Sequence, residues 1–369
     1  MTTLDTPPST TAAANPASTA TDAGDPEEIA GRIIGILNDG AIAILTSIGH
    51  ELGLFDTLAS LPPATSQQVA DAAGLDERYV REWLGGMVTA GFVRYLPAEA
   101  AYYLCPDHLP FLTDGPDNLA TLARYVAMSG QVQPKVVATF RNGGGLSYDD
   151  YPGFHELQAA ESATIVDASL LDTVVPLTGE VERLRAGITV ADIGCGSGHA
   201  VNVLARAFPR SSFFGFDFSE QAIASARAEA TEWGLTNANF VVCDVAGPVA
   251  DPGAYDLITA FDTIHDQAHP ATVLRNIREA LAPGGTFLMV DINASSNLED
   301  NHEIPWASLL YMISVVHCMS VSLGQGGDGL GTVWGRQTAE RMVREAGFGE
   351  VTVHDLESDP FNAYFVARL

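Results

Sequence analysis

Val190-Ala191-Asp192-Ile193-Gly194-Cys195-Gly196-Ser197-Gly198-His199 is the stretch on which the fold turns. A β-type run from Ile188 to Ile193 stops at an acidic residue and three alternating glycines, and a helix-like segment follows. Glycine lets a chain turn sharply and lets a ligand lie directly against the backbone. The helix start behind it offers free N–H groups to an electron-rich group. A nucleotide-type cofactor loop is the expectation. The dinucleotide fingerprint G-x-G-x-x-G would need a glycine at position 199, where this chain has His199.

Downstream of the loop, strand-like and helix-like runs alternate, which argues for a parallel sheet covered on both faces. The predicted strands are Ile188–Ile193, Ser212–Phe216, Asn239–Cys243, Asp256–Phe261 and Thr286–Val290, with helices at about His199–Phe208, Glu220–Trp233 and Ala271–Leu281. Two final runs, Glu350–Asp355 and Ala363–Arg368, are spaced as antiparallel neighbours. The second strand leads into Asp217 and Phe218, and an acid there suits ribose hydroxyls. The third leads into Asp244 and Val245, and that carboxylate can accept from an exocyclic amine such as adenine's. Acidic residues at three successive strand ends suit a cationic, phosphate-free ligand and would repel a pyrophosphate.

Asp192-x-Gly194-x-Gly196-x-Gly198, Asp217, Asp244 and the later Leu281-Ala282-Pro283-Gly284-Gly285-Thr286 together resemble a class I S-adenosylmethionine-dependent methyltransferase over residues 187–369. The resemblance implies an α/β, Rossmann-like seven-stranded sheet whose last strands are antiparallel. It implies that the loop, with Cys195 in it, lies against the methionine end of S-adenosylmethionine. Asp217 would bind the ribose diol, Asp244 the adenine amino group with Val245 beside it, and Phe218 would cover the adenine. Phe261, closing the fourth strand, is placed with these cofactor residues. Ile264-His265-Asp266 is similar to the stretch that carries the histidine base in small-molecule O-methyltransferases with an N-terminal dimerisation domain. His265 is therefore the candidate base, taking a hydroxyl proton as the oxygen attacks the methyl. The alternative is a helix start in which Asp262 caps and His265 is incidental. Those enzymes usually continue with Trp, whereas this chain has Gln267. Carboxylates to orient His265 are sought among Glu299, Asp300 and Glu303, none selected by spacing. No metal is expected, because His265, Asp266 and His269 match no ligand spacing.

Ahead of this half, residues 26–115 are expected to form a mainly α-helical, winged-helix-like dimerisation domain. Pro26 opens a helix whose Ile29, Ile33, Ile36, Leu37, Ile44, Leu45, Ile48 and Leu52 face a partner subunit or their own domain. Thr65 and Asp76 cap two short helices, the second with Tyr79, Val80, Trp83, Leu84 and Met87 inward, and two strand-like runs follow Gly91. From Asp56 to Asp114 there are eight acidic and three basic residues, which argues against nucleic acid as a partner. The pairing with the catalytic half resembles regulator-like bacterial methyltransferases. Residues 116–186 read as a helical linker and lid, with a flexible joint at Arg141–Gly145 and an aromatic run, Tyr148–Pro152, that folds over the ligand or packs as a surface loop. Residues 1–25 read as a disordered tail.

Composition sets outer bounds. Acidic residues number 46 against 18 basic, a net charge of −28, and Lys135 is the single lysine. Such a surface repels phosphate backbones and anionic lipid. Four scattered cysteines fit a reducing compartment. No apolar run reaches the ~18 uncharged residues of a span, and no basic leader precedes Arg32. A soluble, cytoplasmic homodimer acting on a small molecule is expected, with no membrane. The apolar segment Trp306–Trp334 is the place for acceptor contacts, and the glycine-rich run Leu323–Gly331 is expected as a mobile lid or an exposed loop. Two other readings stay open: a winged-helix transcriptional regulator binding S-adenosylmethionine or a small effector, and a cofactor-binding relative without methyl transfer.

Overall fold

The computed structural model describes residues 25–369. The expected tail lies outside them except for Asp25, which caps the first helix by accepting from the Glu27 N–H at 3.1 Å. That helix, Pro26–Glu51, starts with proline and two glutamates, the residues its free N–H groups favour. Its C-terminal turns lie on helix Glu77–Thr89, where the Trp83 indole N–H donates to the Leu45 carbonyl at 2.8 Å. Its other apolar side chains are not buried in their own domain: Ile33, Ile36 and Leu37 are more than half exposed.

Helices Ser66–Ala73 and Glu77–Thr89 and the hairpin of β1 (Val93–Leu96) with β2 (Ala101–Leu104) form the winged helix. Thr65 and Gln68 make a reciprocal capping box, and Gly74 ends that helix in the left-handed region. Val80, Trp83, Leu84 and Met87 are buried at helical spacing, whereas Tyr79 points outward, 81% exposed. It sits about 100° around the helix from Val80, off the inner stripe. Arg81 pairs with Glu77 at 3.5 Å and Arg78 pairs with Glu82.

The C-terminal half is one seven-stranded sheet: β3 (Thr189–Ile193), β4 (Ser212–Asp217), β5 (Ala238–Val242), β6 (Tyr255–Phe261), β7 (Leu281–Ile292), β8 (Glu350–Leu356) and β9 (Asp359–Arg368). Their order is β5-β4-β3-β6-β7-β9-β8, with β9 antiparallel to both neighbours and the rest parallel. The β7 and β9 strands are longer than expected, and the two pair with each other from Thr286 to Ile292. Alternate residues pack in opposite directions. Val190, Leu257 and Leu288 join the core under helix His199–Ala207, and Ala191, Ile258 and Phe287 join the core under helices Pro270–Ala280 and Arg336–Glu345. Burial on both faces is what parallel strands require.

Two expectations about loops are corrected. Gly145 is no joint: a Cβ there would lie 1.8 Å from the Ser320 carbonyl oxygen, so the chain crosses helix Met319–Gly324 in direct contact. The glycine-rich run is packed, not free. Gly327 lies against Ala268, Asp328 N–H donates to the Ala268 carbonyl at 2.8 Å, and Gly331 N–H donates to the His265 carbonyl at 3.2 Å.

Helices Pro26–Glu51 and Ala307–Gly324 are, by length and composition, apolar enough to cross a membrane, against the sequence expectation. The second is 44% buried in its hydrophobic window and carries a π-turn at Ser314–Cys318.

Gly49 tests the first helix's docking. A Cβ there would come within 2.4 Å of the Trp83 ring and 2.9 Å of Phe55. The helix-propensity gain of Gly→Ala, about 1 kcal/mol, is outweighed by overpacking of about 1–3 kcal/mol. Gly49→Ala should therefore lower the urea midpoint of the winged-helix domain, and a raised midpoint would mean that Trp83 is not held against this helix.

Candidate functional site

The parallel register brings four strand ends to one edge. Asp192 is level with Gly215 on β4 and Thr259 on β6, and Phe261 with Val290 on β7. Beyond these rungs lie the glycine loop, Asp217, Asp262 and Asp291. Strand carboxyl ends are where ligands bind in sheets of this kind.

Gly194, Gly196 and Gly198 all have left-handed backbone, with φ of 68°, 53° and 74°. A Cβ at Gly194 would meet the Thr263 hydroxyl at 2.0 Å, and one at Gly198 would meet Ala226 and Phe240 at 2.5 Å. The outer glycines are thus packed on protein. Gly196 has nothing within 4 Å of that position, so the loop's middle faces open space. Its N–H donates to Asp217 Oδ2 at 3.0 Å, and Ser219 N–H donates to Oδ1 at 2.8 Å. Cys195 sits inside the loop, its N–H on the Phe216 carbonyl, and burial pushes its thiol well up. His199, the residue that departs from the dinucleotide pattern, lies with Nδ1 2.7 Å from Glu229 and Nε2 3.1 Å from Asp167.

Phe218 is half exposed beyond β4, with the Tyr148 ring 5.2 Å away between centroids. Asp244 is exposed beyond β5 and accepts from Ala246 N–H at 2.9 Å. Val245 is buried in the lower core with Phe216 and Ile264, so its side chain lies away from the edge. Phe261 is half-buried against the opposite core.

His265 is 4% exposed, its Nδ1 2.9 Å from Asp291 Oδ1. That oxygen also accepts from the Trp334 indole at 2.9 Å and from Ile292 N–H at 2.8 Å. Burial works against an imidazolium here, but the Asp291 carboxylate and the adjacent Cys318 raise the His265 pKa well above its usual value. The carboxylate paired with His265 is thus Asp291. Glu299, Asp300 and Glu303 are exposed, and Asp300 accepts from Ser295 and Asn297. No helix starts at Asp262 either. Its φ is +48°, its N–H donates to Val290, and the next helix opens at Pro270, so the capping alternative is set aside.

Residues missed from sequence complete the edge. Asp266 accepts from the Tyr148 hydroxyl at 2.7 Å. Asp291 obeys the same strand-end rule as Asp217 and lies one residue past the expected strand end at Val290, inside the observed strand. Asp262 Oδ1 and Asp291 Oδ2 are buried with no hydrogen-bond partner among the described residues. Burial raises Asp192 to about 7, Asp262 to about 8 and Asp266 to about 6. Unmatched carboxylate at a dry edge suits a ligand that brings positive charge. No group of three or more metal-binding side chains occurs among the described residues.

These raised values predict a slope. Asp192 holds its proton when folded up to about pH 7 but ionises near pH 4 when unfolded. Its contribution to stability is full below pH 4 and is lost as pH rises through 7, at up to about 1.4 kcal/mol per pH unit. Without ligand, the melting temperature should fall from pH 5 to pH 8. Asp192→Asn, which keeps an acceptor for the Thr259 hydroxyl at 2.6 Å, should flatten that fall and melt above the parent at pH 8. Equal slopes in the two proteins would refute this account.

Residues 184–347 match the methyltransferase domain family, and residues 40–114 match the Rv2258c-like winged HTH domain family. Among curated proteins, the ubiquinone biosynthesis O-methyltransferase of Methylococcus capsulatus is 31% identical over 110 residues, covering 30% of this chain and 46% of that one. The chain spans about half the length of such relatives. Among solved structures, PigF with SAH superposes with a TM-score of 0.66 at 20% identity, over 94% of this chain and 99% of that one. NcsB1, an O-methyltransferase from neocarzinostatin biosynthesis in complex with S-adenosylmethionine and 2-hydroxy-5-methyl naphthoic acid, gives 0.62 at 16% identity, over 88% and 95%. At these identities the likeness is one of fold. The chain therefore carries a methyltransferase domain of the seven-stranded fold behind an Rv2258c-like winged helix-turn-helix domain.

Proposed function

We propose that this chain transfers a methyl group from S-adenosylmethionine to a hydroxyl oxygen of a small, largely apolar or aromatic acceptor, with His265 as general base. The observation that carries the reading is the buried His265–Asp291 pair, 2.9 Å apart, at the same sheet edge as the glycine loop. S-adenosylmethionine, when bound, supplies a methyl on a cationic sulfonium that leaves as a neutral thioether. The chain's residues suit that ligand: Gly196 leaves room against the backbone, Asp217 and Asp244 stand at the ends of β4 and β5, and the buried acids favour positive charge. Asp192, Gly194, Cys195, Gly198, Phe218, Val245 and Phe261 are assigned to the same cofactor site, Val245 through its backbone.

Asp291 fixes the His265 ring and stabilises the imidazolium that forms when it takes the acceptor's proton. A positive charge beside His265 lowers its pKa, so the neutral, base-competent form is favoured when the site is loaded. The hydroxyl acceptor is supported by the relatives named for O-methylation and by NcsB1, an O-methyltransferase in complex with S-adenosylmethionine and 2-hydroxy-5-methyl naphthoic acid. A DNA-binding reading draws no support from helix Glu77–Thr89, whose two arginines are tied to Glu77 and Glu82.

We divide the chain into a winged-helix-like domain at 26–115, a linker and lid at 116–186 and the catalytic domain at 187–369. We assign the exposed apolar face of helix Pro26–Glu51 to a second copy of the chain, and the free Cys105, Cys195, Cys243 and Cys318 to a reducing cytoplasm.

Asp217→Ala should weaken S-adenosylhomocysteine binding at least about tenfold by calorimetry, the scale of a lost charged hydrogen bond. His265→Asn should leave that binding within about twofold while lowering turnover on a phenol about 10²–10⁴-fold. Unchanged binding in the first variant or full turnover in the second defeats the corresponding assignment. Ile33→Asp with Leu37→Asp should halve the mass in sedimentation equilibrium. An unchanged mass would place the dimer contact elsewhere.

A further inference from the structure

Tyr148 stands on the segment between helix Ala123–Asn142 and helix Phe154–Ser169, outside the catalytic sheet. Its ring lies 5.2 Å from Phe218, just after β4, and its hydroxyl donates to Asp266, just after β6, at 2.7 Å. In the sheet, β4 and β6 are the two neighbours of β3. A side chain in contact with the segments leaving both of those strands spans the end of β3, where the glycine loop lies. The strap is anchored on both sides of this crossing. Leu146 N–H donates to the Ser320 hydroxyl at 3.1 Å, Ser147 N–H donates to Asp150 at 2.8 Å, and Lys135 reaches Asp150 at 2.6 Å. Phe154 and His317 stack at 3.8 Å, and both rings also contact Tyr148.

We propose that Tyr148 is a positioning residue for the transfer: its phenol pins the strap of residues 145–151 across the glycine loop and fixes the Asp266 carboxylate beside His265. This rests on the methyl-transfer reading for the identity of the ligands beneath the strap, whereas the strap's own attachment does not. Burial and the neighbouring Asp266 push the Tyr148 phenol well above its ordinary pKa, so it stays a donor across the working range. Cofactor and acceptor then enter only when the Tyr148–Asp266 bond is broken. Loading and release are coupled to the residue next in sequence to the base.

The experiment is a double-mutant cycle of Tyr148→Phe and Asp266→Ala, each of which removes one partner of the bond, read first by hydrogen exchange of the amides of residues 145–151 in the ligand-free full chain. Each single variant should speed exchange about tenfold, as expected for loss of a hydrogen bond to a charged group, and the double variant no further than either single. Full additivity, or exchange unchanged in Tyr148→Phe, overturns the proposal. Stopped-flow release of S-adenosylhomocysteine should quicken in both single variants, with KM for a phenol rising more than kcat falls. Release at the parental rate overturns the gating. If the parent does not bind S-adenosylhomocysteine at all, the cofactor reading fails, and the exchange cycle still decides the latch.

Discussion

The hydrogen bond from Gly196 N–H to the Asp217 carboxylate ties the turn after β3 to the end of β4, and the geometry of the whole edge depends on it. The turn can make that bond because three glycines take left-handed backbone in alternation. The outer two are wedged against Thr263 on one side and Ala226 with Phe240 on the other, while the middle one faces open space. A loop held at both ends and open at its centre is pre-organised for a ligand and loses little entropy when one binds. The same packing sets the position of Thr263, and through it the turn that carries His265.

The second constraint is electrostatic and runs against stability. Asp192, Asp262, Asp266 and Asp291 crowd a dry edge with one imidazole among them, and two carboxylate oxygens there lack partners among the described residues. A protein selected for stability alone would replace such groups with apolar ones of similar volume. Their retention is intelligible where the missing positive charge arrives with a ligand, since binding to the folded state alone then restores what the empty edge forfeits.

Much of this was legible in the chain. Periodicity and strand-end acids foretold the seven strands and the places of the loop, Asp217 and Asp244 at strand ends, because parallel strands buried on both faces repeat a strong local pattern. The two caps of the winged helix were equally plain in Thr65 and Asp76. The two misread loops share a cause, contact between segments distant in sequence. Gly145 reads as a hinge until the Ser320 carbonyl is placed against it, and Gly327 reads as loop until Ala268 is. Asp291 lies past the expected strand end, which falls two residues short, and the pairing of Tyr148 with Asp266 joins positions 118 apart. Tyr79 was misplaced for a simpler reason, since it sits one step off the helical stripe it was assigned to.

The brace on the strap has a chemical corollary. Lys135, which holds Asp150, is the only lysine in the sequence, and its side chain is 56% exposed. The chain therefore carries a single side-chain amine, placed beside the segment that crosses the glycine loop. Amine-directed dyes and crosslinkers, which scatter over most proteins, find one side-chain address here, and it is the one from which the strap's movements can be watched.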